Sequence, residues 1–437
     1  MRRINIVRDE RGQILIVFAF LLTVLVLFTG LALDAGLLYV TKAKLSMAVD
    51  AACLMGMKSL SLGQSKAATL ATDEFDANFG ANPPKPTITF PTDGYGDQQI
   101  NISATASVHT IFIRMIPAFA TVSVSDTATA TRGKLAMSIV LDRSGSMSSD
   151  GGGSALQSAV PTFVADFSNT NDEVALISFS SNATVNFPIN YNFITPITNA
   201  VKILNFNGGT FGTGAGTNAA GTTMGPPMSM ADQQNNTVAA QPGQNLTKVV
   251  VYFTDGLMNT LQDTFSCVVN NTLTPELINY GGYDTGSQVD FFQPSNGTDW
   301  GKYNAGFPYD SKGDICQNPK GVNVIKFFSQ QFGAGEPITR ANVTAEAQYR
   351  AIYTANAMRT ETSPTYIFTI GLGSGVSPST QAFLAQLAND PSYPTYIKSQ
   401  PAGLFLYVPN CPGATCTAEL NTAFQTIASK VLLRLTQ

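Results

Sequence analysis

The sequence predicts an α/β protein with a doubly wound, mostly parallel sheet. A long apolar helix and a small β-rich segment precede the sheet, and an inserted, disulfide-containing loop region interrupts it. Three observations predict this: an apolar run near the N-terminus, a stretch of alternating apolar and polar residues, and strands alternating with helices from residue 134 onward. Strands such as KVVVYFTDG are apolar at consecutive positions, which is typical of sheets covered by helices on both faces.

The apolar run occupies residues 13–33, and as a helix it would span about 30 Å, the thickness of a bilayer core. Four arginines precede it: Arg2, Arg3, Arg8 and Arg11. By the positive-inside rule, residues 1–12 are predicted to form a cytoplasmic tail, and the chain after the apolar run is predicted to be exported. A cleaved signal peptide is the alternative, but its apolar region is only about 7–15 residues long. We therefore expect a single-pass inner-membrane anchor with an extracytoplasmic C-terminal domain.

Residues 34–82 are strong helix formers, which predict a helical stalk that is broken or bent near Gly56 or Gly63 and ends at the prolines of NPPKP. Residues 83–133 alternate with period two and predict half-buried strands in a small β-rich segment. The chain's single histidine, His109, lies on the polar side of one of them. With one histidine, a Ser-His-Asp triad would have only one candidate base. An HExxH metal site, which needs two histidines, is excluded.

The α/β domain is predicted to cover residues 134–437. Its candidate strands are 135–141, 173–180, 248–254, 365–372 and 403–408. Its candidate helices are 154–168, 198–204, 218–234, 345–359, 379–388 and 417–435. Residues 257–342 do not continue this alternation of strands and helices, and the segment is far longer than the usual loop of about 4–6 residues. We interpret them as an insertion after the third strand.

Composition excludes some partners and suggests an oxidising compartment. Charged residues make up 12% of the chain, the net charge is −4, and no basic stripe is present to hold nucleic acid. The five cysteines include no CxxC motif, so zinc and redox patterns are not indicated. We expect Cys267 to pair with Cys316 and Cys411 with Cys416, leaving Cys53; free buried thiols are the alternative.

A group of oxygen-bearing residues follows the predicted strands. Asp142, Ser144 and Ser146 come after the first strand, Asp255 follows the third, and the loop GGTFGTGAGTNAAGTTM between them contains Thr217. Ligands of open α/β sheets bind beyond the carboxyl ends of the strands. Carboxylates and hydroxyls are hard donors suited to Mg²⁺, Mn²⁺ or Ca²⁺. A helix-capping turn is the alternative for DxSxS alone.

Together, DxSxS, the glycine-threonine loop and TDG resemble the von Willebrand factor A domain and its metal-ion-dependent adhesion site. The resemblance implies that Ser144, Ser146 and Thr217 ligate a divalent cation directly. Asp142 and Asp255 would act through water or as switchable ligands, which leaves one position for an acidic group of a protein partner. Thr210 is the rival to Thr217 in that loop. Mg²⁺ is the expected ion, with Ca²⁺ and Mn²⁺ as alternatives.

The N-terminal stretch RGQILIVFAFLLTVLVLFTGLALDAGLLYV, with an alanine-rich helix after it, resembles the TadE/TadG class of Flp (Tad) pilus-assembly proteins. The C-terminal stretch ending in ELNTAFQTIASKVLLRLTQ is also similar to TadG-like proteins. These resemblances imply a minor pilin, assembly factor or adhesin that contacts other pilin-like subunits, in the inner membrane, at the cell surface or on a pilus. Val17 stands where cleaved pilins carry glutamate, so we expect an uncleaved anchor.

Two other functions are compatible with the sequence. An envelope scaffold could use the same A domain without any link to pili. An enzyme would have to rely on acids of the insertion, namely Asp284, Asp290, Asp299, Asp310 and Asp314. Because no general base accompanies the oxygen-bearing group, we expect binding and no catalysis.

Overall fold

In the computed structural model the chain divides into two units between Arg132 and Gly133. Each unit has its own buried apolar core. The residues that the structure describes are 11–149, 152–180, 183–206, 227–256, 260–269, 272–281, 290–292, 299–302, 316–317 and 340–434. The predicted cytoplasmic tail therefore lies almost wholly outside the described residues.

Two helices open the first unit: α1 (Arg11–Lys58) and α2 (Gln64–Phe79). Gly63, with φ of 97°, separates them, a backbone conformation that glycine adopts without strain. α2 does not prolong a stalk, as the sequence suggested, but packs back on α1. The reason is an apolar stripe at every fourth residue of α2, since Ala67, Ala71 and Phe75 are fully buried.

Gly56 was expected as a possible break or bend, but α1 continues through it to Lys58. A Cβ at this position would lie 3.1 Å from the Cβ of Ala71 and would collide with the side chain of Ile100. Gly56 therefore allows close approach between α1 and its neighbours and does not break the helix.

A three-stranded antiparallel sheet in the order β1-β2-β3 completes this unit: β1 (Thr87–Thr89), β2 (Gln99–His109) and β3 (Thr121–Thr131). The alternation predicted for this segment is present. Ile100 and Ile102 on β2 are fully buried against α1 and α2, whereas His109 is exposed and its Nδ1 lies 3.1 Å from the Thr121 Oγ1.

Among the described residues, the segment Ile16–Lys58 within α1 is long and apolar enough, by length and composition, to cross a membrane, and an 18-residue window within it has a mean hydropathy of 2.8. Its side chains between Ile16 and Leu33 are largely exposed.

The second unit is built on a six-stranded sheet in the order β14-β13-β7-β4-β5-β6. All neighbours are parallel except β5 and β6. The strands are β4 (Lys134–Asp142), β5 (Glu173–Phe179), β6 (Ala183–Asn190), β7 (Leu246–Thr254), β13 (Thr365–Leu372) and β14 (Leu404–Val408). The doubly wound, mostly parallel sheet predicted from the sequence is confirmed.

Helices cover both faces of this sheet. They are α3 (Gly145–Ser149), α4 (Gly152–Val164), α5 (Ile194–Ile203), α6 (Pro227–Asn236), α7 (Arg340–Arg359), α8 (Pro378–Ala388) and α9 (Cys416–Arg434). On β7, Val249 and Val251 join a core with α4, α5 and α9, whereas Val250 and Tyr252 join a core with α6, α7 and α8. Burial on both faces explains why these strands are apolar at consecutive positions.

In the six-stranded sheet and its helices, β6 and α6 differ from the prediction. β6, an antiparallel edge strand, was not predicted because its eight residues include Asn186, Pro188 and Asn190 and lack a long apolar run. The helix predicted over 218–234 is described only from Pro227 onward, and residues 207–226 lie outside the described residues.

The insertion, expected as a loop region, contains a second antiparallel sheet in the order β11-β10-β9-β8-β12. Its strands are β8 (Thr260–Val269), β9 (Thr272–Gly281), β10 (Asp290–Phe292), β11 (Asp299–Lys302) and β12 (Cys316–Gln317). The register places Cys316 opposite Cys267.

The predicted bond between Cys411 and Cys416 is present, at the start of α9. Cys53 is free and buried.

Candidate metal centre

Two acids lie at the carboxyl ends of neighbouring parallel strands. Asp142 is the last residue of β4 and Asp255 directly follows β7. The register pairs Leu141 with Phe253, one residue before the end of each strand. Both carboxylates are buried, Asp142 at 4% exposure and Asp255 at 5%. The edge of the sheet where such folds bind ligands therefore carries two buried acids.

Asp142 is held by donors on both of its oxygens. Oδ1 accepts the backbone N–H of Ser144 at 2.8 Å, and Oδ2 accepts the hydroxyl of Thr254 at 2.5 Å. Burial raises the pKa of Asp142, against the lowering effects of these donors and of the Arg143 charge. Both oxygens are thus fixed in direction, toward the loop after β4 and toward the end of β7.

A chain of side-chain contacts joins the loop after β4 to Asp255. The hydroxyls of Ser144 and Ser146 lie 3.1 Å apart, and the Ser146 hydroxyl donates to Oδ1 of Asp255 at 2.9 Å. Ser144 directly precedes the short helix α3, and Ser146 lies in its first turn. The structure therefore links Asp142, Ser144, Ser146 and Asp255 in one series of successive hydrogen bonds.

The fifth predicted ligand, Thr217, and its rival Thr210 both lie outside the described residues. The glycine-threonine loop that contains them connects α5 to α6.

Sequence reasoning missed two residues at this site. Thr254 is the threonine of TDG, and its hydroxyl binds Asp142; its position directly before Asp255 was the available signal. Arg143 follows Asp142, is only 7% exposed, and donates its backbone N–H to the carbonyl of Phe179 at 2.8 Å. Burial lowers the pKa of Arg143, while the charge of Asp142 opposes that shift. Nothing in the sequence pattern distinguishes Arg143 from a surface arginine.

The donor set matches a hard cation. In the part of the chain that the structure describes, no group of three or more His, Cys, Asp or Glu side chains could hold a metal. The residues that meet here are two carboxylates and two serine hydroxyls, all oxygen donors of the kind that Mg²⁺ and Ca²⁺ prefer. The acids are buried while Ser146 is exposed, so an ion held by this set would face solvent on the serine side.

Two family profiles match the sequence. The profile described as von Willebrand factor type A domain matches residues 137–257, which include β4, β7 and all four residues brought together at the site. The profile described as Flp pilus-assembly TadE/G-like matches residues 12–64. The chain joins a TadE/G-like segment to a von Willebrand factor type A domain. No curated protein matches the sequence.

Solved structures similar to this TadE/G-like, A-domain chain include several pilus proteins. The PilB minor pilin from Streptococcus sanguinis is 16% identical, with 80% of this chain and 79% of that chain covered and a TM-score of 0.35. The vWF domain of the type V pili tip protein Mfa5 from Porphyromonas gingivalis is 15% identical, with 70% and 97% covered and a TM-score of 0.37. The pilus adhesin SpaC from Lactobacillus rhamnosus GG is 14% identical, with 80% and 34% covered and a TM-score of 0.37.

Proposed function

We propose that this chain is a membrane-anchored component of a Flp (Tad)-type pilus that binds a protein partner through a divalent cation. Mg²⁺ is the expected ion, with Ca²⁺ and Mn²⁺ as alternatives. The partner would supply an acidic side chain to the ion, and other pilin-like subunits would contact the anchor. The chain would act as a minor pilin, an assembly factor or an adhesin.

The observation that carries the proposal is the continuous contact from Asp142 through Ser144 and Ser146 to Asp255. Four oxygen-bearing side chains from two separate loops converge at the carboxyl edge of the sheet. Only two of these four donors are carboxylates, so a bound cation keeps a preference for a further anionic oxygen. A carboxylate from another protein supplies such an oxygen.

Binding, without catalysis, is the proposed use of the site. Metal-assisted catalysis needs a general base or nucleophile beside the ion. Both oxygens of Asp142 already accept hydrogen bonds, and Asp255 accepts one from Ser146. The chain's only histidine, His109, lies in the first unit, paired with Thr121.

The anchoring part of the proposal is supported by α1. The segment that could cross a membrane overlaps the residues matched by the TadE/G-like profile, 12–64. The arginines before the apolar run support the same arrangement, in which the helix anchors the chain and the A domain is exported. The proposed location is the inner membrane, with the cell surface or the pilus as alternatives.

Capture of partners tests the proposal. The full chain in detergent would be immobilised and incubated with solubilised envelope from the source cells, in Mg²⁺ or in chelator. We expect pilus subunits to be retained in Mg²⁺ and released by chelator, and a Ser144→Ala/Ser146→Ala variant to retain none. Ser158→Ala, which removes an exposed hydroxyl on α4, is the matched control. Retention that survives chelation would contradict a cation-dependent mechanism.

A second function is an envelope scaffold whose A domain serves assemblies other than pili. It is favoured by the extent of the TadE/G-like match, which covers residues 12–64 and no part of the A domain. The same capture experiment separates the two, because a scaffold would retain envelope proteins that are not pilus subunits.

A further inference from the structure

The loop between β2 and β3 exposes an unusual number of large apolar side chains. Its sequence over residues 111–119 is IFIRMIPAF, folded into two short 3₁₀ turns. Met115 is 89% exposed, Ile111 60% and Ile116 53%, and Phe112 and Phe119 are also exposed. An apolar patch of this density on a soluble surface marks a binding site for a protein or a membrane.

The loop is fixed to α1 by one buried carboxylate. Oδ1 of Asp34 accepts the backbone N–H of Ile111 at 2.7 Å, and Oδ2 accepts those of Phe112 at 2.9 Å and Ile113 at 2.7 Å. Asp34 is only 2% exposed. Hydrogen bonds to a charged acceptor are about twice as strong as neutral ones, so three of them hold the start of the loop at a set position along the helix.

A glycine one turn earlier completes the attachment. Gly30 and Asp34 are four residues apart and therefore share one face of α1. The ring of Phe112 covers Gly30, since a Cβ there would lie 2.6 Å from the Phe112 Cγ. Gly36, further along the same helix, has nothing within 4 Å of such a Cβ. The loop thus requires glycine at position 30, whereas position 36 has room for a side chain.

This attachment lies at the end of the apolar run. Residues 13–33 form the expected membrane-crossing part of α1, and Asp34 is the first acid after it. The exposed apolar side chains of the loop therefore continue the exposed apolar surface of the helix at its exported end. Arg114 is the only charged residue within residues 111–119, and an arginine at this depth can extend its guanidinium to lipid phosphates while its methylenes stay in the apolar layer.

We infer that residues 111–119 insert into the interfacial layer of the bilayer, beside the point where α1 leaves it. The inference rests on the membrane anchoring proposed above and commits to lipid as the occupant of this surface. Interfacial apolar segments bury to about 5–10 Å below the headgroups. With α1 and the loop both in the membrane, joined by Asp34, the first unit has two points of attachment and a fixed orientation on the bilayer.

Depth-dependent fluorescence quenching tests the inference. The full chain carrying Trp300→Phe, which removes its only tryptophan, would receive Met115→Trp and be reconstituted into vesicles of phosphatidylcholine and phosphatidylglycerol with brominated acyl chains. The matched control is Tyr95→Trp in the loop before β2, which lies at the opposite end of that strand from residues 111–119. We expect a blue-shifted emission and a large loss of fluorescence for Met115→Trp, and neither for Tyr95→Trp.

Vesicle flotation after alkaline carbonate washing keeps the two proposals apart. A chain that floats while Met115→Trp is quenched no more than Tyr95→Trp overturns the inference and leaves the anchor intact; the loop would then be covered by a second copy or a protein partner. A chain that is washed off the vesicles overturns both proposals.

A second pair of variants checks the role of the attachment. Gly30→Ala pushes the Phe112 ring away from the helix, and we expect it to reduce the quenching of the indole introduced by Met115→Trp. Gly36→Ala, on the same helix, should leave the quenching unchanged. Equal quenching in both variants would show that the contact at Gly30 does not position the loop.

Discussion

At the scale of single residues, Thr254 helps to fix the orientation of the Asp142 carboxylate. Its hydroxyl donates to one oxygen of Asp142, while the backbone of Ser144 donates to the other. Asp142 is buried, and a buried carboxylate without donors would bind a proton more readily. Thr254 therefore contributes to the site without being one of the predicted ligands.

Thr254→Val removes this donor and keeps the shape of the side chain. We expect the free energy of unfolding to fall by about 1–3 kcal/mol, because a buried acceptor loses its partner. Mg²⁺ affinity should fall about tenfold, the usual effect of removing a residue that orients a ligand. Chemical denaturation and titration calorimetry on the full chain would measure the two effects.

Thr369→Val is the matched control, since Thr369 is a buried threonine of β13 that donates to the carbonyl of Leu384 at 2.9 Å. It should lose a similar amount of stability and bind Mg²⁺ as before. An equal loss of affinity in both variants would mean that Thr254 acts only on the fold.

The sequence predicted the two acids and two serines of the site because a strand end followed by DxSxS or TDG is a local pattern. It did not predict Thr254 or Arg143. A threonine inside a buried strand and an arginine after an acid are common, and only the three-dimensional contacts give them a role. Thr217 remains a prediction, because its loop lies outside the described residues.

At the scale of elements, α6 is attached to the sheet by polar contacts. Asn235 is fully buried and joins two strands, accepting the hydroxyl of Ser138 at 2.8 Å and donating to the carbonyl of Val249 at 3.0 Å. Near the same end of the helix, Asp232 lies close to Glu361, which forms an ion pair with Lys248 at 3.0 Å. Two acids thus share one lysine beside α6.

This arrangement makes stability depend on pH. Burial first, and then the charge of Glu361, raises the pKa of Asp232 from 3.8 to about 6. The folded protein therefore binds more protons than the unfolded chain between these values, so the contribution of Asp232 to stability is lost as pH rises from about 4 to about 6.

Asp232→Asn should remove this loss. We expect the variant to exceed the unaltered protein in unfolding free energy by about 1 kcal/mol at neutral pH, a value reduced for the partial exposure of the carboxyl group. Near pH 4 the two proteins should be equal. Denaturant titrations across this pH range would measure the difference, and a constant difference at every pH would contradict the assignment.

The elements that were predicted well from the sequence are those with a clear apolar pattern. β4, β7 and β13 are apolar at consecutive positions, and α8 begins at Pro378, one residue before the predicted start, after Ser377, whose hydroxyl accepts the backbone N–H of Thr380. α2 was predicted as helical, but its packing on α1 was not, because an alanine stripe is equally compatible with an extended stalk. β6 lies at the edge of the sheet, where burial is weak and the sequence carries little signal.

At the scale of the whole molecule, the chain consists of two units with separate cores. The first places a possible membrane-crossing helix and an apolar loop together. The second places two acids and two serines at the carboxyl edge of a doubly wound sheet. The fold class could be predicted from the sequence because both cores obey simple periodicities. The strands of the insertion could not, since a segment rich in Asn, Gly and Asp has little apolar period to reveal them.

The central claim is that the carboxyl edge of the sheet binds one divalent cation through Asp142, Ser144, Ser146 and Asp255. The most direct test is calorimetric titration of Mg²⁺ into the full, metal-free chain in detergent, for the unaltered protein, Ser146→Ala and Ser158→Ala. We predict one binding site in the unaltered protein and in Ser158→Ala, and affinity weaker by about tenfold or more in Ser146→Ala. Equal affinity in all three proteins, or no binding in any, would contradict the claim.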